Sequence, residues 1–239
     1  MDSYIDEVIE IMDLSQNKPL NEIVFEGFRQ AIIKGIIPVG ERINEKECAV
    51  QLNISRTPIR EALRRIEKEG LVEYIPKFGV VVKKISVEDA EEIYQIRKSL
   101  DILATTNAMK IMSAKEFSQM ENLLEETKRA NEAEEVDKVI QYFSDFNMMI
   151  YQYSRMPRLE AIVRKLREYL MRFRDISLSG ENRRRKALNE HCQIFKMMKN
   201  QEYDKISDVI EEHLDYSKSF VIQEMVRVQE GVKESHGRS

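Results

Sequence analysis

The stretch ISRTPIREALRRIEKEGLVEY, residues 54–74, decides how the N-terminal third of this chain folds. Ser55 is a good helix N-cap, and Pro58 falls in the first turn, where its missing N–H costs nothing. Ile59, Ala62, Leu63 and Ile66 recur at i, i+3, i+4 and i+7 and define one buried stripe. Gly70 ends the helix. Arg56 and Arg60 share the face opposite the stripe; Arg64 lies further along that side, and Thr57 sits near the N-terminal end. Two readings compete for these cations. One is a solvated face, with Arg64, Arg65 and Lys68 paired to Glu61, Glu67 and Glu69. The other is a surface for a polyanion. Arg65 and Lys68 fit the first reading, Arg56 and Arg60 fit the second, and Arg64 stays open.

Outward from this stretch, residues 19–35 read as an amphipathic helix stopped by Gly35, and residues 44–53 as a second short helix. Asn53 and Ile54 make the turn into the helix that starts after Ser55. Downstream the period changes. LVEYI and VVVKKI are β-branched and aromatic runs joined by PKFG, a hairpin with glycine in its turn. Two helices at a tight turn, preceded by a helix and followed by a hairpin, make a winged helix-turn-helix. In such a motif the second helix enters the major groove with its N-terminal residues at the base edges, where the arginine fork pairs with guanine or phosphate. Residues 4–12 carry Ile5, Val8, Ile9 and Met12 at helical spacing, as either an accessory helix or a frayed terminus.

Charge agrees with this division. Residues 20–85 hold 12 basic and 9 acidic side chains, whereas the remainder holds 26 and 33, so only the N-terminal third favours a polyanion. The two cysteines, Cys48 and Cys192, form no CxxC pattern, the first residues are acidic rather than signal-like, and no apolar run is long enough to span a membrane. The expected location is the cytoplasm, away from membranes. Cys48 stands where an apolar residue would pack and is expected to be buried and inert.

Beyond residue 85 no strand signal remains. Helices are expected over 87–112, 114–132, 135–153, 157–176, 180–199 and 203–230, with capping boxes at Ser86/Asp89 and Ser113/Glu116. The expected fold is mostly α: an N-terminal winged helix-turn-helix and a C-terminal all-α bundle of about six helices. The organisation is an N-terminal extension (1–18), a DNA-binding domain (19–85), a helical effector-binding and dimerisation domain (86–231) and a polar tail (232–239).

Residues 20–85, and SRTPIREALRRIEKEGL above all, resemble the winged-helix domain of the GntR family of bacterial transcription regulators. The resemblance continues into VEDAEEIYQIRKSLD, which is similar to the first helix of the FadR-type effector domain, called FCD. It implies DNA contacts from Lys46, Ser55, Arg56, Thr57, Arg60 and Arg64 and, at the wing, from Lys77 and Gly79, flanked by Phe78. Lys46 stands where the family commonly has arginine; it keeps the charge and loses the fork, which favours a phosphate contact.

The resemblance also implies an effector site in the bundle, where the family often holds a metal ion on one Asp and three His. Here His191 and His213 stand at two ligand positions, but the usual Asp-x-x-x-His is replaced by Phe143 and Asn147, with Asp145 on another side of the helix. A divalent ion such as zinc on His191 and His213 is therefore one reading. The other makes Asn147, His191 and His213 direct effector contacts, as in family members that use no metal. Arg97 matches an arginine near the family's pocket: either it faces the pocket and favours a small carboxylic acid, or it forms a salt bridge with Asp101. Met148, Met149, Met171, Met197 and Met198 read as bundle core; if they line an irregular pocket, a longer apolar acid is the alternative effector.

The leading function is a ligand-responsive transcription regulator that binds a palindromic double-stranded DNA operator as a homodimer and is switched by a small anionic metabolite. A metal-dependent enzyme on the bundle is the alternative, weakened by the missing ligands. A non-specific architectural DNA protein fits poorly with the acidic bundle.

Overall fold

The computed structural model describes residues 4–12 and 16–236, with side chains through residue 228. The chain divides into two units, Met1–Ser86 and Val87–Ser239.

The first unit contains α1 (Tyr4–Ile11), α2 (Leu20–Lys34), β1 (Arg42–Ile43), α3 (Glu45–Gln51), α4 (Arg56–Lys68), β2 (Val72–Ile75) and β3 (Gly79–Val82). All four residues of the α4 stripe are buried, and α4 packs on α2, whose Phe28 and Ala31 are fully enclosed. Gly35 closes α2 in the left-handed region at φ 74°. Asn44 caps α3, its side chain accepting from the Lys46 and Glu47 amides. Ser55 occupies the N-cap position of α4 but makes no side-chain cap bond. The first α4 turn is therefore held by the α3–α4 turn and Pro58, and the serine hydroxyl is exposed.

The wing is an antiparallel sheet in the order β1-β3-β2, with Val72 opposite Val82 and Ile75 opposite Gly79. Strand β1 pairs Arg42 with Val81. The sequence reading missed it because two residues are too short to show a period. Helix α1 resolves the alternatives for residues 4–12. It packs on α2 with Ile5 and Val8 buried, and Met12 closes over Gly27, where an added Cβ would meet the methionine Cγ at 2.3 Å. This part of the expected extension thus belongs to the core of the first unit.

The second unit is all helical: α5 (Val87–Ile111), α6 (Ala114–Glu132), α7 (Val136–Tyr153), α8 (Pro157–Tyr169), α9 (Met171–Ser177), α10 (Glu181–Lys199) and α11 (Tyr203–His236). Helix α5 packs against α7 and α11, and α10 packs against α6, α7 and α11. Two expectations need correction. The helix expected over 157–176 breaks at Leu170, which has φ −105° and ψ 3°. No glycine or proline marks the break; Leu170 is buried, so packing sets it. Helix α11 also runs to His236, into the stretch read as a polar tail.

The Ser113/Glu116 capping box is complete, with the Ser113 hydroxyl accepting from the Glu116 amide and the Glu116 carboxylate accepting from the Ser113 amide. Ser113→Ala is expected to cost about 1 kcal/mol, read as a lower urea midpoint with an unchanged slope.

Candidate functional site

In the first unit, Arg56, Arg60 and Arg64 of α4 line one side of an open groove, and Tyr74, Gly79 and Val80 of the wing line the other. Arg42, Asn44 and Glu45 also line it. Glu45 Oε2 accepts from Arg56 Nη2 at 3.0 Å and from Arg60 Nη2 at 3.2 Å and Nε at 3.3 Å. One carboxylate oxygen thus holds both guanidiniums, which remain about half exposed. Such exposed pairs contribute little stability, but they orient two forks toward the same space.

Lys46 and Ser55 lie with Arg56 on an adjoining shallow surface formed by α3 and the turn into α4. Thr57 and Lys77 are exposed and line neither surface. Lys77 takes φ 67° and Gly79 φ 112°, so the wing turn passes through the left-handed region twice. Arg65 departs from its expected partners: it pairs with Glu22 of α2 and lies 3.7 Å over the Phe25 ring. It therefore fastens α4 to α2. Glu45 and Arg42 were absent from the sequence reading, and nothing in the local pattern marks either.

In the second unit, Arg97, Asn147, His191 and His213 line a single cavity. Tyr94, Arg167, Leu170, Arg174 and Ser217 complete its polar and apolar walls. Its volume is about 40 Å³, room for a few water molecules.

Arg97 of α5 faces this cavity and also pairs with Asp101, Nη2 donating to Oδ2 at 2.9 Å, so both readings of it hold at once. Tyr151 of α7 donates to the other Asp101 oxygen at 2.8 Å. Burial works most strongly against the Arg97 charge, but Asp101 together with Tyr151 and Tyr94 outweighs it and holds the guanidinium above its ordinary range. Burial and the neighbouring Asp101 charge push the Tyr151 phenol up. Arg174 pairs with Asp175. Arg167 is different. It is buried, its Nη1 has no hydrogen-bond partner, and its Nη2 donates to Ser144 Oγ at 3.5 Å, with Tyr151 alongside. No carboxylate pairs with it among the described residues, and burial lowers its affinity for its proton. A signal for it existed. Leu159, Val163, Arg167 and Leu170 follow one helical stripe, so an arginine sits at an apolar position.

His191 is fully enclosed, stacked on Phe146 at 4.5 Å and met edge-on by Phe143 at 5.0 Å. Burial, and then the nearby cationic and imidazole side chains, push it well below its ordinary range, so it is neutral, with Nδ1 unpartnered. His213 Nδ1 bonds Glu190 at 2.9 Å. Asn147 donates to the Phe143 carbonyl at 2.7 Å.

These residues do not fit a metal ion. No cluster of three or more His, Cys, Asp or Glu able to hold one exists among the described residues. Phe143 replaces the carboxylate, and three guanidiniums line the space that a dication would share. The reading of His191 and His213 as zinc ligands is therefore set aside, while their placement on the cavity wall stands. Met198 is buried, whereas Met148, Met149, Met171 and Met197 are half-buried; none of the five lines the cavity. Cys48 is fully enclosed, and burial pushes its thiol up to about 11.

A winged helix presenting paired arginines, joined in one chain to a helical unit with a small charged cavity, defines a DNA-binding regulator with a ligand-sensing domain. Residues 20–82 match the family described as bacterial regulatory proteins, gntR family, and residues 92–216 match the FCD domain. The chain belongs to the GntR family and carries an FCD domain; it is a DNA-binding transcription regulator and not an enzyme. It is 28% identical over 193 residues to the uncharacterized HTH-type transcriptional regulator YdhC of Bacillus subtilis, covering 80% of this chain and 86% of YdhC. It is 24% identical over 201 residues to the HTH-type transcriptional repressor RspR of Escherichia coli, covering 84% and 88%. The solved structure of E. coli McbR/YncC shares the fold, with a TM-score of 0.66 at 21% identity over 86% of this chain and 98% of that one. No helix among the described residues is long and apolar enough to cross a membrane.

Replacing Asp101 with Asn would leave Arg97 buried without its carboxylate. The loss is expected to reach about 3–5 kcal/mol, measured by chemical unfolding. A change under about 1 kcal/mol would show that the Arg97–Asp101 pair is not what holds this region.

Proposed function

We propose that this regulator binds a palindromic operator as a homodimer in the cytoplasm, and that a small anionic metabolite in the helical unit sets its DNA affinity. The effector reading rests above all on Arg167, a buried guanidinium on the cavity wall with no carboxylate partner among the described residues. Two of the three cavity guanidiniums are neutralised, by Asp101 and Asp175, and His191 is neutral. One positive charge remains, which favours a monoanion, with a carboxylate meeting the Arg167 fork. Asn147, His191 and His213 supply polar atoms around it.

The dimer reading is supported by an apolar row along α5. Ile93, Ile96, Leu100, Leu103 and Ile111 fall within one narrow arc of the helix, yet Ile96, Leu103 and Ile111 are more than 40% exposed. A second copy would bury this row, and two DNA heads would then read two half-sites.

The test begins with small monocarboxylates screened by thermal shift on the full chain. A bound ligand stabilises the protein, by about 2.7 kcal/mol at one hundred times its dissociation constant. Arg167→Met is expected to abolish the shift and the ligand's effect on DNA binding while leaving DNA binding itself intact. An undiminished shift in that variant removes Arg167 from the site.

The DNA reading predicts that Arg56→Ala or Arg60→Ala abolishes specific operator binding in gel shifts with no change in folding. If Lys46 meets phosphate alone, Lys46→Ala weakens every duplex about equally. Full specific affinity in either arginine variant would contradict the assignment of α4 as the reading helix.

A further inference from the structure

Arg42 lies outside the helix-turn-helix, and the resemblance assigned it no role. It sits on β1, in the groove between α4 and the wing tip. Its guanidinium lies 5.3 Å from the centroid of the Phe78 ring. Phe78 is itself 48% exposed, so its ring face is open to the Arg42 side chain. Stacking occupies the flat face of a guanidinium and leaves its in-plane N–H groups free to donate.

Three further observations bear on this side chain. Arg56 and Arg60 share Glu45, whereas Arg42 forms no ion pair among the described residues. A Cβ at Gly79 would lie 3.4 Å from Arg42 Nε, an ordinary contact, so Arg42 passes beside the wing glycine, and it is the φ of 112° that calls for glycine there. The Tyr4 hydroxyl of α1 donates to the Arg42 carbonyl at 3.3 Å, tying the strand to the N-terminal helix.

We propose that Arg42, stacked on Phe78, clamps the phosphate ridge that separates the groove read by α4 from the groove met by the wing. A recognition helix in the major groove and a wing tip at the neighbouring minor groove leave one strand of phosphates between them. The groove lined by Arg42 lies between those two elements of the protein. The ligand is a backbone phosphodiester, so the contact adds affinity on any sequence and reads no base. This inference rests on α4 being the reading helix.

The test uses a fluorescein-labelled duplex of mixed sequence, with binding to the full-length protein followed by anisotropy across a salt series. Arg42→Met keeps an apolar stem over Phe78 and removes the charge. It is expected to flatten the slope of log affinity against log salt by about 0.9 per engaged subunit and to weaken binding roughly five- to tenfold at low salt. Arg42→Lys, which keeps the charge, is expected to retain the slope. Lys68→Met, an exposed cation of α4 that does not line the groove, is expected to leave the slope unchanged. An Arg42→Met slope equal to wild type overturns the proposal, as does an equal loss in Lys68→Met, which would report bulk charge alone. Binding lost in Arg60→Ala but unchanged in Arg42→Met overturns the clamp and leaves the reading of α4 standing. Unaltered binding in both variants removes the docking geometry beneath it.

Discussion

Burying a guanidinium without an anion is costly, and the centre of the helical unit meets that cost for Arg97 and leaves it standing for Arg167. Asp101 accepts from Arg97 on one oxygen and from Tyr151 on the other, joining α5 to α7. Arg167 of α8 lies 5.8 Å from the centroid of the Tyr151 ring, so a third helix meets the same cluster. Among the described residues neither Asp101 oxygen pairs with Arg167. That uncompensated charge is what the proposed anion would meet.

The DNA-binding unit applies a related rule at its surface. Glu45 neutralises one charge of the Arg56–Arg60 pair and holds both side chains in place. A duplex bound at these forks, as proposed, would have to displace or share that carboxylate, which would oppose loose phosphate binding and reward a partner that offers each fork a well-placed acceptor. Arg42 and Arg64 form no ion pairs among the described residues and line the same groove. Orientation and bulk attraction are thus divided among different arginines, in a chain whose net charge of −4 gives little general affinity for DNA.

The sequence made the winged helix legible because its signals are local. The α4 stripe, the glycine stops, the wing turn and the capping box at Ser113 each lie within a few residues, and each appears where expected. What stayed hidden was set by contacts between distant residues. The break at Leu170 carries no glycine or proline, and β1 is two residues long. Arg65 leaves its neighbouring glutamates for Glu22 and Phe25, 43 and 40 positions away, because packing α2 on α4 brings them closer than any partner on its own helix. In the cavity the family pattern directed attention to Arg97, which is neutralised within one helical turn. Arg167, whose only mark was a charge at an apolar position, carries the unsatisfied chemistry.

The size of the cavity constrains how any effector can act. A space of about 40 Å³ admits a few waters, so the walls would have to move for the proposed acid to be enclosed in it. A ligand shifts an equilibrium only by its difference in affinity between two states. Leu170 is the natural place for the walls to yield. It lines the cavity at a junction where α8 ends and α9 begins, with Arg167 and Arg174 one turn away on either side. Motion there would separate or converge two guanidiniums without breaking the hydrogen bonds inside either helix. An anion held between them would favour the converged arrangement, coupling its charge to the backbone at the one point where this part of the bundle is not continuous helix.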